Sequence, residues 1–390
     1  MRFPSVYYQM AGEIAARFPA LRPAQQAWLA LWVFGAIQAK SATQSAVVAA
    51  LSPWRKPETL RQYLREGLYD GGDRAAPCST EIDIGLCFPL LFAWALSLWE
   101  GESLPLALDA TLLNDDLVSL SVSLLYRGSA CPVAWTVLPA NSPGEWRPHL
   151  LRMLSALAPA GPKRREVVVM TDRGLWCPAL FRALVRRGWH PLMRLHPGIT
   201  FAPCGGGGRR KVGEWLRGPG SAFLARGVAF RRKDRQLPAT LWAVWEAGEA
   251  EPWVLLTDLP PDPARLRLYG LRFWIESGFR ALKSLGWQWQ RTRRRDPKRV
   301  ERHWLVMAVA QLFTLAAGTP GEAAEEAAGG SGAAGRPRSV AGRGVSLFRR
   351  GLAQLGRQFL QGRLELPLKL IPEPWPAPPW LLPGRITCIT

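Results

Sequence analysis

Apolar side chains between residues 269 and 285 fall at Leu271, Trp274, Ile275, Leu282 and Leu285, at steps of three, four and seven. That period predicts an amphipathic helix, and Gly278 is tolerable inside it. A different pattern marks Glu166–Thr171, where Glu-Val-Val-Val-Met-Thr is a continuous apolar run. Such a run predicts a strand covered on both faces. Leu104–Thr111, Leu117–Arg127 and Cys131–Leu138 are apolar segments, the last two parted by Gly128-Ser129. They predict three consecutive strands, antiparallel through short turns.

The first 100 residues are helical in pattern. Pro23 suits a first turn before Gln25–Lys40. Ala42–Leu51 follows, and Pro57 opens a third helix with Leu60, Tyr63, Leu64 and Leu68 on one face and Arg61 and Arg65 on another. This pair fits a DNA-reading helix-turn-helix or a plain helical hairpin equally. A break at Gly71-Gly72-Asp73 precedes a further apolar helix, Glu81–Trp99. Past the three strands, Pro143-Gly144-Glu145 opens a helix to Leu157, and Pro178–Arg187 is another, followed by a strand at His190–Leu195. Phe223–Phe230, Ala239–Trp245 and Trp253–Thr257 are strands, and Pro297–Leu315 is a helix. An Ala/Gly/Glu-rich stretch predicts a flexible linker at 316–340. A basic amphipathic helix at Val340–Leu364 and a tail rich in Pro and Trp end the chain.

Charge changes the picture. The net charge of +20 over 390 residues favours a polyanionic partner, nucleic acid before membrane. Between Arg265 and Arg302 there are 12 Lys and Arg against 3 Asp and Glu. No basic region followed by an apolar core marks a signal peptide, and the longest apolar runs are too short to span a bilayer. The six cysteines are scattered without a Cys-x-x-Cys pair, and with four His they make no zinc pattern. They suit reduced packing residues of a cytoplasmic protein. The run Gly205–Gly208 lacks phosphate-loop spacing.

The candidate chemistry rests on carboxylates. Asp109 and Asp172 end predicted strands, and Glu276 lies on the predicted helix. Strand ends meet at a crevice in an open sheet. Three hard oxygen ligands without His or Cys suit Mg²⁺ or Mn²⁺. Two such ions, about 3.5–4 Å apart, can carry phosphodiester displacement. At about 100° per residue, Tyr269, Arg272, Glu276 and Lys283 share one stripe of a helix. Each residue also has a plain alternative. Asp109 could begin a turn, Asp172 could cap one, and Glu276 could pair with Arg272 or Arg280. Asp115 and Asp116 fit a surface loop, and His303 a structural role.

These residues carry a resemblance. Tyr269, Arg272, Glu276 and Lys283 match the Tyr-(2)-Arg-(3)-Glu-(6)-Lys spacing of bacterial insertion-sequence transposases of the DDE class, in the branch named for insertion sequence four. Leu108-Asp109-Ala110-Thr111 resembles the family's first Asp motif and Thr171-Asp172-Arg173-Gly174 its second. Trp253-Val-Leu-Leu-Thr resembles its tryptophan-bearing strand. The likeness covers roughly residues 80–315.

The resemblance implies an α/β fold, a ribonuclease H-like mixed-sheet core with a β-rich insertion, preceded by a helical N-terminal domain. The expected division is 1–100 for DNA binding, 101–197 and 259–315 for the core, 198–258 for the insertion, 316–340 for the linker and 341–390 for the C-terminal helix and tail. Asp109, Asp172 and Glu276 are the implied catalytic metal ligands for Mg²⁺ or Mn²⁺. Tyr269, Arg272 and Lys283 are implied to hold transposon-end phosphates, with Arg280, Arg291 and Arg293 in the basic stretch along the DNA backbone. Trp253 either stacks on a base flipped from a hairpin end or packs in the core. The implied activity is cut-and-paste transposition on double-stranded DNA by a homodimer. The alternatives are a DNA-binding remnant without catalysis and a nuclease of the same fold without strand transfer.

Overall fold

The computed structural model describes residues 2–69, 81–140, 145–329, 345–373 and 386–389. The expected break at Gly71-Gly72-Asp73, the Pro143-Gly144 turn, the linker beyond 329 and most of the tail lie outside the described residues.

One mixed sheet organises the chain. Strands β1 (Ser103–Leu112), β2 (Leu117–Tyr126) and β3 (Ser129–Pro139) form an antiparallel meander. The β2–β3 turn is made by Arg127 and Gly128, both with positive φ (44° and 79°), the conformation that a two-residue hairpin turn requires. On the other side of β1, β4 (Glu166–Thr171) and β5 (His190–Leu195) run parallel to it. The helices α6 (Arg147–Leu157) and α7 (Pro178–Val185) supply the crossovers. Val167, Val168, Val169 and Met170 have no exposed surface, as their unbroken apolar run predicts.

The expected insertion extends this sheet. Strands β6 (Thr200–Pro203), β7 (Arg210–Lys211), β8 (Ser221–Ala229), β9 (Leu237–Trp245) and β10 (Trp253–Thr257) continue it antiparallel from β5. The order is β3-β2-β1-β4-β5-β10-β9-β8-β6-β7. A last strand, β11 (Ile386–Ile389), lies parallel to β8.

Helices α1 (Ser5–Arg17), α2 (Pro23–Ala39), α3 (Gln44–Leu51), α4 (Pro57–Glu66) and α5 (Ile84–Leu98) share one apolar core with the sheet. Two polar groups on α9 (Pro297–Gly329) fasten them. Buried Arg302 donates to the carbonyls of Leu68 (2.8 Å) and Ile82 (3.0 Å). His303 lies 2.8 Å from the Ala42 carbonyl through Nε2, and burial pushes its imidazole down to about 3. That nitrogen therefore carries the proton and donates.

One expectation changes. Helix α9 continues past Leu315 through Pro320 to Gly329, so 316–329 is helical rather than linker. The C-terminal helix α10 spans Leu347–Leu360, inside the expected range, and packs along α9. Among the described residues no helix is long and apolar enough to cross a membrane.

Candidate active site

The segment from Tyr269 to Lys283 is not one α-helix. Pro263–Phe273 is a 3-10 helix, Trp274–Arg280 is α-helical (α8), and Ala281–Leu285 is a π turn. A 3-10 run this long is unusual, and π turns often mark functional sites. Despite the change of pitch, Tyr269, Arg272 and Lys283 all hydrogen-bond to the ends of β1 and β4. Tyr269 and Arg272 turn inward and are buried, at 1% and 8% exposure, whereas Glu276 is exposed.

The two aspartates meet as their strands predict. Leu108 on β1 registers with Thr171 on the parallel β4, so Asp109 and Asp172 follow side by side. Each uses one oxygen locally. Asp109 Oδ1 accepts from the Ala110 amide (2.9 Å), and Asp172 Oδ1 from the amides of Gly174 (2.9 Å) and Leu175 (3.1 Å). Asp172 thus does cap its turn, with Oδ2 left for another partner. That partner is shared: Arg272 Nη2 lies 2.9 Å from Asp109 Oδ2 and 3.5 Å from Asp172 Oδ2. Arg272 Nε is buried without a hydrogen-bond partner.

Burial raises the Asp109 carboxyl above its ordinary range, and Asp172 and Glu276 add to the rise. Arg272 and the Ala110 amide oppose it. Glu276 is therefore within electrostatic reach of Asp109. It forms neither of the ion pairs its spacing offered: Arg272 turns to the aspartates, and Arg280 Nη2 donates to Ser277 Oγ (3.2 Å). Among the described residues, no three His, Cys, Asp or Glu stand close enough to form a ready metal-ligand set. The donor chemistry still fits a hard divalent cation. The Oδ2 atoms of both aspartates converge on a single positive group, the Arg272 guanidinium, and Glu276 is without a hydrogen bond or ion pair among the described residues.

Close packing places Glu276. A Cβ on Gly278 would stand 2.8 Å from Ala130 Cβ and 2.9 Å from the Ala130 carbonyl oxygen. Glycine there lets α8 lie directly on the start of β3. The remaining motif residues surround the aspartates. Tyr269 donates through its hydroxyl to the Thr171 carbonyl (3.1 Å), and burial pushes its phenol up to about 12. Lys283 Nζ donates to Thr111 Oγ1 (2.9 Å) and the Leu112 carbonyl (3.1 Å), and burial lowers its ammonium. Trp253 is half-buried, with its ring edge-on to Tyr269 (5.4 Å) and tilted against Phe273 (6.1 Å). Asp116 lies apart from the site, 3.2 Å from Arg295.

Two arginines escaped the sequence reading. Arg173, next to Asp172, pairs with Glu251. Arg194, on β5, is half-buried, and its Nε has no partner. Burial lowers its pKa, and neighbouring Arg173 and Arg272 lower it further. A lone cation inside the apolar strand His190–Leu195 was the available signal. Arg291 belongs to a second basic feature, a cleft of about 670 Å³ that it lines with Arg61, Arg65 and Arg294. Arg294 is pushed down to about 10 by burial and lies 5.9 Å from the Trp32 ring. Arg293 is exposed, with a left-handed backbone (φ 52°).

The family model described as "Transposase DDE domain" matches residues 131–313. This stretch contains Asp172 and Glu276 and begins past Asp109. The match supports a transposase of the DDE class. No curated protein matches the chain. Among solved structures, the "Cryo-EM structure of piggyBac transposase synaptic complex with hairpin DNA (SNHP)" is similar over 93% of this chain and 79% of that chain. The identity is 13% and the TM-score 0.38, a distant likeness that by itself establishes no shared fold.

Proposed function

We propose that this protein is a DNA transposase of the DDE class, in the insertion-sequence-four branch, acting by cut-and-paste at the ends of its element. The observation that carries the reading is the pairing of Asp109 and Asp172 on adjacent parallel strands, both facing Arg272, with Glu276 in electrostatic reach. The mixed order β3-β2-β1-β4-β5 supports a ribonuclease H-like core.

Asp109, Asp172 and Glu276 would hold a pair of Mg²⁺ ions, or Mn²⁺ in their place. When bound, such ions supply Lewis acidity toward the attacking and leaving oxygens of a phosphodiester. The chain's own groups do the rest. Arg272 leaves the aspartates for a DNA phosphate, which its planar fork matches better than a lysine would. Tyr269, held on the Thr171 carbonyl, keeps Trp253 in place at the site's edge. Lys283, Arg194 and Arg173 add positive charge around the strand ends. The cleft of Arg61, Arg65, Arg291 and Arg294 takes the DNA backbone between the α3–α4 hairpin and the segment after α8. A 3′-hydroxyl freed by the first hydrolysis attacks the opposite strand, closing a hairpin and releasing the flanking DNA with its own 3′-hydroxyl; a second hydrolysis reopens the hairpin, and the regenerated 3′-hydroxyl attacks the target. Two copies acting on paired ends complete the reaction.

The test is cleavage of a duplex carrying the DNA that flanks the reading frame, with Mg²⁺ or Mn²⁺. Breaks at one defined position, lost in Asp109→Ala and Glu276→Ala, are expected. Binding that persists without any break would instead favour a DNA-binding remnant. Breaks with no joined product would indicate a nuclease.

A further inference from the structure

The two aspartates offer only the oxygens that their backbones leave free. Oδ1 of Asp109 accepts from the Ala110 amide, and Oδ1 of Asp172 from the amides of Gly174 and Leu175. Both Oδ2 atoms face a single nitrogen, Arg272 Nη2, at 2.9 Å and 3.5 Å. Arg272 is buried at the end of the 3-10 helix Pro263–Phe273, and Tyr269 ties that helix to the Thr171 carbonyl one turn earlier. The guanidinium therefore reaches the aspartates from a fixed base.

Its own bonding is incomplete. Nε of Arg272 is buried without a hydrogen-bond partner among the described residues, and so are Nε of Arg173 and Nε of Arg194. Arg194 lies within electrostatic range of both other arginines. A buried donor left without an acceptor costs free energy, and like charges in range of one another repel. One anion among the three arginines relieves both. Phosphate is the anion whose oxygens match the guanidinium fork.

A guanidinium and a divalent cation cannot share the Oδ2 pair, because both are positive and both need the same lone pairs. We propose that Arg272 is a DNA-operated gate on metal loading. In the free protein it neutralises Asp109 and Asp172 and keeps metal affinity low. A DNA phosphate taken up by Arg272, Arg194 and Arg173 draws the guanidinium off and leaves both Oδ2 atoms, with Glu276, to the metal. The site is then loaded only when a strand lies in place. Coupling through one side chain is reciprocal: DNA raises metal affinity by the same factor by which metal raises DNA affinity. The gate rests on the reading of Asp109, Asp172 and Glu276 as metal ligands, and adds that their loading is conditional on DNA.

The test reads Mn²⁺ binding by electron paramagnetic resonance rather than cleavage. Wild type, Arg272→Met and Asp109→Ala are each titrated free and with saturating duplex that carries the flanking DNA. The Asp109→Ala curve is subtracted, which removes ions held by the DNA itself. Circular dichroism checks that each variant is folded. Free Arg272→Met should bind Mn²⁺ more tightly than free wild type by about tenfold or more. Duplex should raise the wild-type affinity by a similar factor and leave that of Arg272→Met unchanged. Should Arg272→Met fail to fold, wild type with and without duplex decides the matter. Asp109-dependent binding that is equal in the two free proteins, or that duplex does not strengthen in wild type, overturns the gate and leaves the carboxylate site standing. Absence of Asp109-dependent binding in every protein, with duplex and without, overturns the metal-site reading and the gate with it.

Discussion

The Gly278→Ala substitution tests whether α8's seat on β3 sets the position of Glu276. The added Cβ would meet Ala130 Cβ at 2.8 Å, its carbonyl oxygen at 2.9 Å and its amide nitrogen at 3.0 Å. Ordinary contact begins near 3.4 Å, and two of the three neighbours are strand backbone that cannot rotate away. The helix must therefore retreat by about 0.6 Å, an overpacking change that costs about 1–3 kcal/mol. The better helix propensity of Ala returns up to about 1 kcal/mol, leaving a net loss of roughly 1–2 kcal/mol. The effect on chemistry is larger, because a displacement near 1 Å at a reacting group costs about 100-fold. Metal-dependent DNA cleavage should fall by about two orders of magnitude, with duplex affinity unchanged and only a small drop in denaturation midpoint. Gly270→Ala is the comparison: its Cβ would lie 3.8 Å from Trp253, an ordinary contact, and it should cleave normally. If Gly278→Ala cleaved within threefold of wild type, contact with Ala130 would not be what places Glu276.

Other substitutions probe the buried charges. Arg272→Met should destabilise by about 2 kcal/mol, because it removes a charged hydrogen bond and leaves Asp109 partly buried without it. Adding Asp109→Asn should recover part of the loss, and strict additivity in a double-mutant cycle would show that the two do not interact. The histidines should give opposite pH slopes in stability. The hydrogen bond with Asp258 raises His190, so its contribution is complete below its unfolded pKa and fades as pH rises through the folded value. His190→Gln should remove that component from a denaturation-midpoint series. Burial holds His303 down to about 3, so its contribution is present above the unfolded pKa and is lost as pH falls toward 3. His303→Gln should flatten the acid side of the same series. Gly351→Ala, with its Cβ 1.8 Å from the Thr314 carbonyl oxygen, should cost about 3 kcal/mol and expose α10 to proteolysis. Wild-type resistance would mean that the α9–α10 crossing tolerates a wider spacing.

The sequence by itself determined the local elements and the placing of the aspartates. Glu166–Thr171 is a buried strand because its apolar run suits a sheet covered on both faces. Asp109 and Asp172 stand together because β1 and β4 are parallel neighbours: Asp172 follows the end of β4 as expected, whereas Asp109 lies inside β1, which runs on to Leu112. The helices that Pro23, Pro57 and Pro297 open were legible for the same local reason. Tertiary packing decided the rest. Periodicity cannot tell a 3-10 turn from an α turn when both bury Leu271 and Ile275, so the inward turn of Tyr269 and Arg272 was hidden. Nor does spacing reveal that Arg272 prefers two partly desolvated aspartates to Glu276 on its own helix, since that choice depends on the dielectric around each carboxylate. Arg194 was marked in the sequence only as a cation inside an apolar strand, and its nearness to Arg173 and Arg272 came from setting β5 beside β4. The joining of the strands of residues 198–258 to the first five strands is a long-range β5–β10 pairing with no local mark. Helix α9 runs through the Ala/Gly/Glu stretch that composition alone assigns to a linker. Ala and Glu are among the best helix formers, so the helix that packs against α2, α5, β3 and α10 continues through them to Gly329.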